Sequence, residues 1–205
     1  MSRGRWIALD GIEACGKSTQ VGLLAERLGA LATREPGGTV VGARIRQIVL
    51  DPEHGELSDR SEVLLYAADR AQHVVEVVQP ALVAGRHVVA DRSWASTLAY
   101  QGFGRRLDID EIDRINRWAM DGLLPDLVIL LRIPVDEAML RLGRDRDRLE
   151  REDEAFHRRV ADGFERLASG DPQRWVVVDG MGTVDDVAAR VAEVVVVRTG
   201  LPVAP

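Results

Sequence analysis

Five short apolar runs punctuate the chain, at 6–9, 31–34, 87–90, 127–131 and 175–178. They are rich in Val, Ile, Leu and Ala and lack polar/apolar alternation, the pattern of strands covered on both faces. Between them apolar residues recur at helical spacing, so strand and helix alternate and predict a parallel sheet clothed by helices. Val21, Leu24, Ala25 and Leu28 share one helix face after the first run. Asp59 with Glu62 reads as a capping box opening a long helix. That helix carries Val63, Leu64, Ala67, Ala71, Val74, Val75 and Val78 before Pro80 bends or breaks it. Residues 110–120 form another amphipathic helix. Phe156, Val160, Phe164 and Leu167 line the inner face of a later one, and a last helix follows the fifth strand. Residues 33–39 and 102–104 break both periods and read as loops. So does 141–150, where arginine recurs at every second position from Arg144. Parallel sheets gather ligands at the carboxyl ends of their strands. The polar residues there are Asp10, Glu35, Asp91, Arg132 and Asp179.

The turn after the first strand carries the most specific chemistry. Gly11, Gly16, Lys17 and Ser18 fill the pattern G-x-x-x-x-G-K-[ST], between an apolar strand and a helix. Its glycines let the backbone wrap a polyphosphate, and its N–H groups point at the anion from a helix N-terminus. The phosphate-binding stretch therefore comprises Gly11, Ile12, Glu13, Ala14, Cys15, Gly16, Lys17, Ser18 and Thr19. Lys17 supplies a positive charge for the β- and γ-phosphates, and Ser18 a ligand for Mg²⁺. The chain binds a nucleoside triphosphate.

A length of 205 residues suits one domain with a full core, here taken as 1–205. A net charge of −6 argues against a broad nucleic-acid-binding surface, so its arginine clusters serve something smaller, such as phosphate. The single cysteine, Cys15, excludes an internal disulfide and fits a reducing cytoplasm. No apolar run is long enough for a membrane span, and no membrane partner is expected. Cys15 sits beside Lys17 at a helix N-terminus, a position that favours reaction with alkylating agents, with ATP protecting it; the alternative is a small buried filler.

Further motifs follow in order. They are Arg34-Glu35-Pro36-Gly37-Gly38-Thr39; Ala68-Asp69-Arg70 with Gln72-His73; Asp91-Arg92 with Ser96 and Ala99-Tyr100-Gln101-Gly102; Asp147-Arg148 with Glu150; and Phe156 with Arg159-Val160. Together with the carboxylate Glu13 inside the phosphate loop, this series closely resembles the thymidylate (dTMP) kinases of bacterial type. The resemblance runs to about Asp179. It implies a P-loop nucleoside monophosphate kinase-like three-layer α/β sandwich with a roughly five-stranded parallel sheet, and a lid at about 141–151. It implies the reaction of dTMP with MgATP to dTDP and ADP, and a homodimer.

The resemblance also implies roles. Arg70 and Arg92 come from separate elements, and two guanidinium forks can grip one dianionic phosphate, that of dTMP. Tyr66 stacks on the thymine, Pro36 lines the base pocket, Thr97 bonds the base edge and Tyr100 crowds the sugar 2′-position. Glu13 orients the acceptor nucleotide. Asp91 belongs to the Mg²⁺ shell or holds Arg92. Arg141 and Asp179 lie on the ATP side. No general base is needed, because a nucleoside monophosphate has its second pKa near about 6 and attacks already ionised. The transferring phosphoryl calls for an arginine besides Lys17. Ala14 cannot supply it, so lid residues Arg144 and Arg146 are the candidates, with Arg148 held by Glu150. The alternative is a solvated lid in which these arginines pair with Asp145 and Asp147.

Four positions depart from the family pattern. Asp10 replaces a glutamate, Cys15 an alanine, Ser93 an aromatic or histidine, and Arg132 an aspartate, reversing a charge near the nucleotide. Two rival readings stay open: a kinase phosphorylating thymidine itself, which would need a carboxylate base, and a regulatory P-loop protein that binds ATP with weak turnover.

Overall fold

The computed structural model describes residues 3–144 and 146–204. The five apolar runs form five parallel strands: β1 (Trp6–Asp10), β2 (Leu31–Arg34), β3 (Val88–Asp91), β4 (Leu127–Arg132) and β5 (Trp175–Asp179). Their order across the sheet is β2-β3-β1-β4-β5. The central strand β1 is buried at every position, and β3 and β4 nearly so. The edge strands differ from the expectation of two covered faces. β2 alternates half-buried and exposed residues, and β5 exposes Val177 and Asp179. An edge strand has one neighbour and thinner helical cover, which its composition does not reveal.

Helices clothe the sheet: α1 (Lys17–Leu28), α2 (Val40–Leu50), α3 (Asp59–His73), α4 (Gln79–Val83), α5 (Trp94–Thr97), α6 (Ile109–Ala119), α7 (Val135–Arg141), α8 (Glu154–Gly170) and α9 (Val184–Thr199). The start of α3 corrects the capping-box reading. Its N-cap is Ser58, whose hydroxyl accepts the Ser61 N–H, and Asp59 is the first helical residue. Pro80 does not break this region. A π-helical stretch, Val74–Val78, carries the chain from α3 into α4 and leaves Pro80 in the first turn of α4. Proline is over-represented at the start of a helix, where its fixed φ is already helical. Along this region Leu64 and Val75 are 58% and 64% exposed, while Val63, Ala67, Val74 and Val78 are buried. Leu167 of α8 is only half-buried.

The registers align the strand ends that matter. Leu9 and Arg34 both lie opposite Asp91, Asp10 opposite Leu130, and Arg132 opposite Asp179. The loops after β1, β2 and β3 therefore open onto one rim of the sheet.

Candidate nucleotide site

Close packing forces the turn between β1 and α1. A carbon added at Gly11 would lie 2.6 Å from the Leu131 carbonyl oxygen and 2.9 Å from the sulfur of Cys15. Gly11 and Gly16 have positive φ, and so does Ala14, at 55°. The loop folds back so that Lys17, 6% exposed, donates from Nζ to the Ile12 carbonyl at 2.7 Å. Cys15 is buried, with its sulfur 3.4 Å from that nitrogen. Its burial agrees with the second reading of Cys15, a small filler beneath the loop.

Beside the loop lies a cavity of about 230 Å³. Ala14, Lys17 and Ser18 form one end, and Ser18 Oγ donates to a carboxylate oxygen of Asp91 across the gap. Pro36, Tyr66, Arg70, Thr97 and Tyr100 line the rest, together with Glu13 and Arg92. The loop after β2 reaches the cavity because Gly38 passes close to α3. A carbon added there would lie 2.6 Å from the His73 ring.

Arg92 is the first residue after β3 and takes a left-handed backbone, φ 76°, which a non-glycine residue adopts only when its surroundings compel it. Its N–H donates to the Leu9 carbonyl. Its guanidinium donates to the Gly11 carbonyl (3.1 Å), Ser96 Oγ (3.1 Å), Glu13 Oε1 (3.2 Å) and Tyr100 Oη (3.2 Å). Burial alone would raise the Glu13 pKa. The facing imidazole of His157 and the charges of Arg92 and Lys17 outweigh it and lower Glu13 to about 2. Glu13 thus stays ionised at neutral pH.

Arg70 is 2% exposed and four of its five N–H donors are engaged. Nε donates to Glu35 at 2.7 Å, Nη1 to Thr97 (3.2 Å) and Asn116, and Nη2 to the Ser93 carbonyl at 3.2 Å. Glu35 also holds His73 at 2.8 Å. Burial pushes Glu35 up, but the Arg70 charge and the His73 contact prevail, and its pKa falls below the usual carboxylate range. Arg70 therefore walls the pocket with Thr97, more deeply buried than Arg92. The other arginines on the cavity are Arg34, which opens the Arg34–Thr39 motif without an assigned role, and Arg46, which no sequence motif singled out. Arg46 donates to the Pro36 carbonyl, and its pKa is lowered by burial and by the nearby Arg34 charge. Its position seven residues past Thr39, on the first helix after the paired glycines, was the available signal.

On the lid side, Asp147, Leu149 and Glu150 reach the cavity, whereas Arg144 and Arg146 do not line it. Arg144 is exposed, and Arg146 donates weakly to the Gly143 carbonyl. Asp145 lies outside the described residues. Asp147 caps the turn by accepting the Leu149 and Glu150 N–H groups. Arg148 is held by Glu62 of α3 and by the Val49 carbonyl, not by Glu150 as expected. Arg141 pairs with Glu137 and touches the sulfur of Met181, just beyond Asp179 on β5. Asp179 is exposed and accepts the Met181 N–H.

The family described as thymidylate kinase matches residues 9–191, from the end of β1 into α9. This chain belongs to the thymidylate kinase family. It is 48% identical over 185 residues to a thymidylate kinase of Pelotomaculum thermopropionicum, covering 86% of each chain. It is also 48% identical over 205 residues to one of a Synechococcus species, covering 97% and 98%. Among solved structures, thymidylate kinase from Ehrlichia chaffeensis superposes with a TM-score of 0.79 at 30% identity, over 94% of this chain and 98% of that one.

Within the family pattern, two of the four departures meet each other. Asp10 is fully buried and accepts from Ser93 Oγ at 2.5 Å and Ser96 Oγ at 2.6 Å. Its pKa is nevertheless raised, because burial outweighs those two hydrogen bonds and the Arg92 and Lys17 charges. A shorter carboxylate and a small hydroxyl thus complement one another behind the loop. Arg132 lies away from the cavity. Its side chain is 60% exposed, points to Glu165 at 3.7 Å and does not line the cavity. An exposed pair of that kind is worth under about 1 kcal/mol.

Proposed function

We propose that this chain transfers the γ-phosphoryl group of ATP to dTMP, giving dTDP and ADP. The observation that carries the reading is one cavity that joins the phosphate loop to an acceptor pocket. Lys17 and Ser18 stand at one end, Arg92 between, and Tyr66, Pro36 and Thr97 at the other. Family membership supplies the substrate class.

The γ-phosphoryl of ATP lies over the loop N–H groups and Lys17, with Arg141 and Asp179 on the donor side. The dTMP phosphate sits against Arg92, whose fork Glu13 and Tyr100 hold in place. Tyr66 covers the thymine, and Arg70 and Thr97 border its edge. An ionised phosphate oxygen of dTMP attacks the γ-phosphorus, and the bond to the bridging oxygen breaks as ADP leaves. No residue has to remove a proton. Alignment and charge neutralisation carry the rate.

Ser18 Oγ and the Asp91 carboxylate, already in contact, form a hard-oxygen pair suited to Mg²⁺, which takes the rest of its shell from water and phosphate. That ion would offset phosphate charge. Among the described residues no cluster of three or more His, Cys, Asp or Glu competes for it. Lid residues Arg144 and Arg146 approach the γ-phosphoryl when the segment at about 141–151 closes.

Homodimer formation is also part of the reading. Leu64 and Ala68 of α3 and Val75 of the π-helical stretch are exposed, and so are Val40 and Val41 of α2. We place the enzyme in the cytoplasm, where ATP and a reduced Cys15 are found. No described helix is long and apolar enough to cross a membrane. Incubated with ATP, Mg²⁺ and dTMP, the protein is expected to form dTDP and ADP in equal amounts. ATP consumption without dTDP would refute the reading, and sedimentation as a monomer would refute the dimer.

A further inference from the structure

Helix α8 turns one polar side chain into the interior. His157 is completely buried, on the stripe that also buries Phe156, Val160 and Phe164. Phe156 meets its ring edge-on, with centroids 5.6 Å apart. Neither ring nitrogen has a hydrogen-bond partner among the described residues. Nδ1 faces Oε2 of Glu13 at 3.6 Å, and that oxygen also lacks a partner. The other oxygen of Glu13 holds Arg92.

A leucine or phenylalanine would fill this place without stranding polar atoms, and a stranded buried donor or acceptor is destabilising. The imidazole is explained by what it faces. We infer that His157 is a positioning residue for phosphoryl transfer. Its Nδ1–H engages Oε2 of Glu13, which directs Oε1 onto Arg92 and so fixes the fork that receives the acceptor phosphate.

The geometry supports this in three ways. An ionised carboxylate only accepts, so the proton between the two groups sits on the imidazole. At 3.6 Å a shift of a few tenths of an ångström completes the hydrogen bond. His157 also lies in the first turn of α8, with its N–H on the Asp153 carbonyl, directly after the lid segment. The seating of the lid and that of Glu13 thus share one helix. Sequence alone offered a hint: a histidine at an inward position of an otherwise apolar stripe.

The inference rests on the kinase reading above, and the test separates the two. His157→Leu keeps the volume without a donor. His157→Asn places an amide N–H near the former Nδ1. For His157→Leu, kcat/KM for dTMP is expected to fall roughly tenfold with KM for ATP unchanged, and His157→Asn to recover most of that loss. In a Glu13→Gln background His157→Leu should add less than about twofold. Equal impairment of the Leu and Asn variants, or a full additional loss in the Glu13→Gln background, would overturn the proposal. A second readout does not depend on turnover. Histidine-labelled protein should show an exchange-protected imidazole N–H resonance that vanishes in His157→Asn and shifts in Glu13→Gln. If no protected resonance is lost in His157→Asn, or the lost one does not respond to Glu13→Gln, the proposal fails. Wild-type protein without dTMP-dependent turnover would refute the kinase reading, and the N–H resonance would then decide this proposal by itself.

Discussion

Glu62 offers a perturbation whose cost can be worked from its contacts. It is fully buried in α3, one turn before Tyr66. It accepts from Gln101 Nε2 at 2.6 Å, from Arg105 Nε at 3.1 Å and Nη2 at 3.3 Å, and from Arg148 of the lid segment. Arg105 has two further carboxylates, Glu152 at 2.8 Å and Asp59 at 3.4 Å. Arg148 has no other among the described residues, and its side chain is 13% exposed. Glu62→Gln therefore strands one largely buried charge and weakens two further contacts. Breaking a buried pair from one side costs about 3–5 kcal/mol, and the slight exposure of Arg148 places this case near about 3. In a domain of this size that lowers Tm by roughly 6–12 °C. Arg148→Ala leaves Glu62 its bonds to Arg105 and Gln101, so it should cost less, about 1–2 kcal/mol. Both variants free the segment carrying Asp147, Leu149 and Glu150 along the cavity, and both should raise KM for dTMP several-fold. Thermal unfolding followed by circular dichroism, with steady-state kinetics below the transition, measures each quantity. A Glu62→Gln protein within about 1 kcal/mol of wild type, or an Arg148→Ala protein more damaged than it, would refute this reasoning.

Lys17→Met should lower kcat on the order of 10²-fold with unfolding unchanged, and a folded variant with normal turnover would remove Lys17 from the phosphate site. Arg144→Ala combined with Arg146→Ala should collapse kcat while both substrate affinities fall only modestly; a double variant that keeps most of its kcat would place the transferring charge elsewhere. Asp69 is buried beneath the loop after β2, accepting the Gly37 N–H, and burial with the Glu35 charge lifts its pKa to about 6. The native state then holds a proton that the unfolded chain has lost, so stability falls as pH rises from about 4 to 6. Asp69→Asn removes that dependence and should gain about 1 kcal/mol on wild type between pH 5 and 8 in urea titrations; a constant difference would refute the assignment.

What the sequence revealed follows physical lines. Strands and the phosphate loop were legible because both are local: an apolar run, a glycine spacing, a helix start. The edge positions of β2 and β5 were not, since strand order is a property of the whole sheet. The setting of Arg70 was equally hidden. Glu35, Thr97 and Asn116 reach it from three other parts of the chain and use three of its donors. Arg148 was misassigned for the same reason. Glu150 is close in sequence, yet the Glu62 carboxylate from α3 holds it. Asp10 and Ser93 looked like two unrelated departures until the sheet register brought them together.

The central claim is that one cavity pairs ATP with a nucleoside monophosphate gripped by Arg92. Initial rates of ADP release, with MgATP fixed, across dTMP, dUMP, UMP, CMP, AMP and thymidine test it most directly. Turnover should be fastest with dTMP, near background with thymidine, and strongly reduced for dTMP when Arg92 is replaced by Met. Equal or greater turnover with thymidine, or ATP binding with no acceptor-dependent ADP release, would contradict the account.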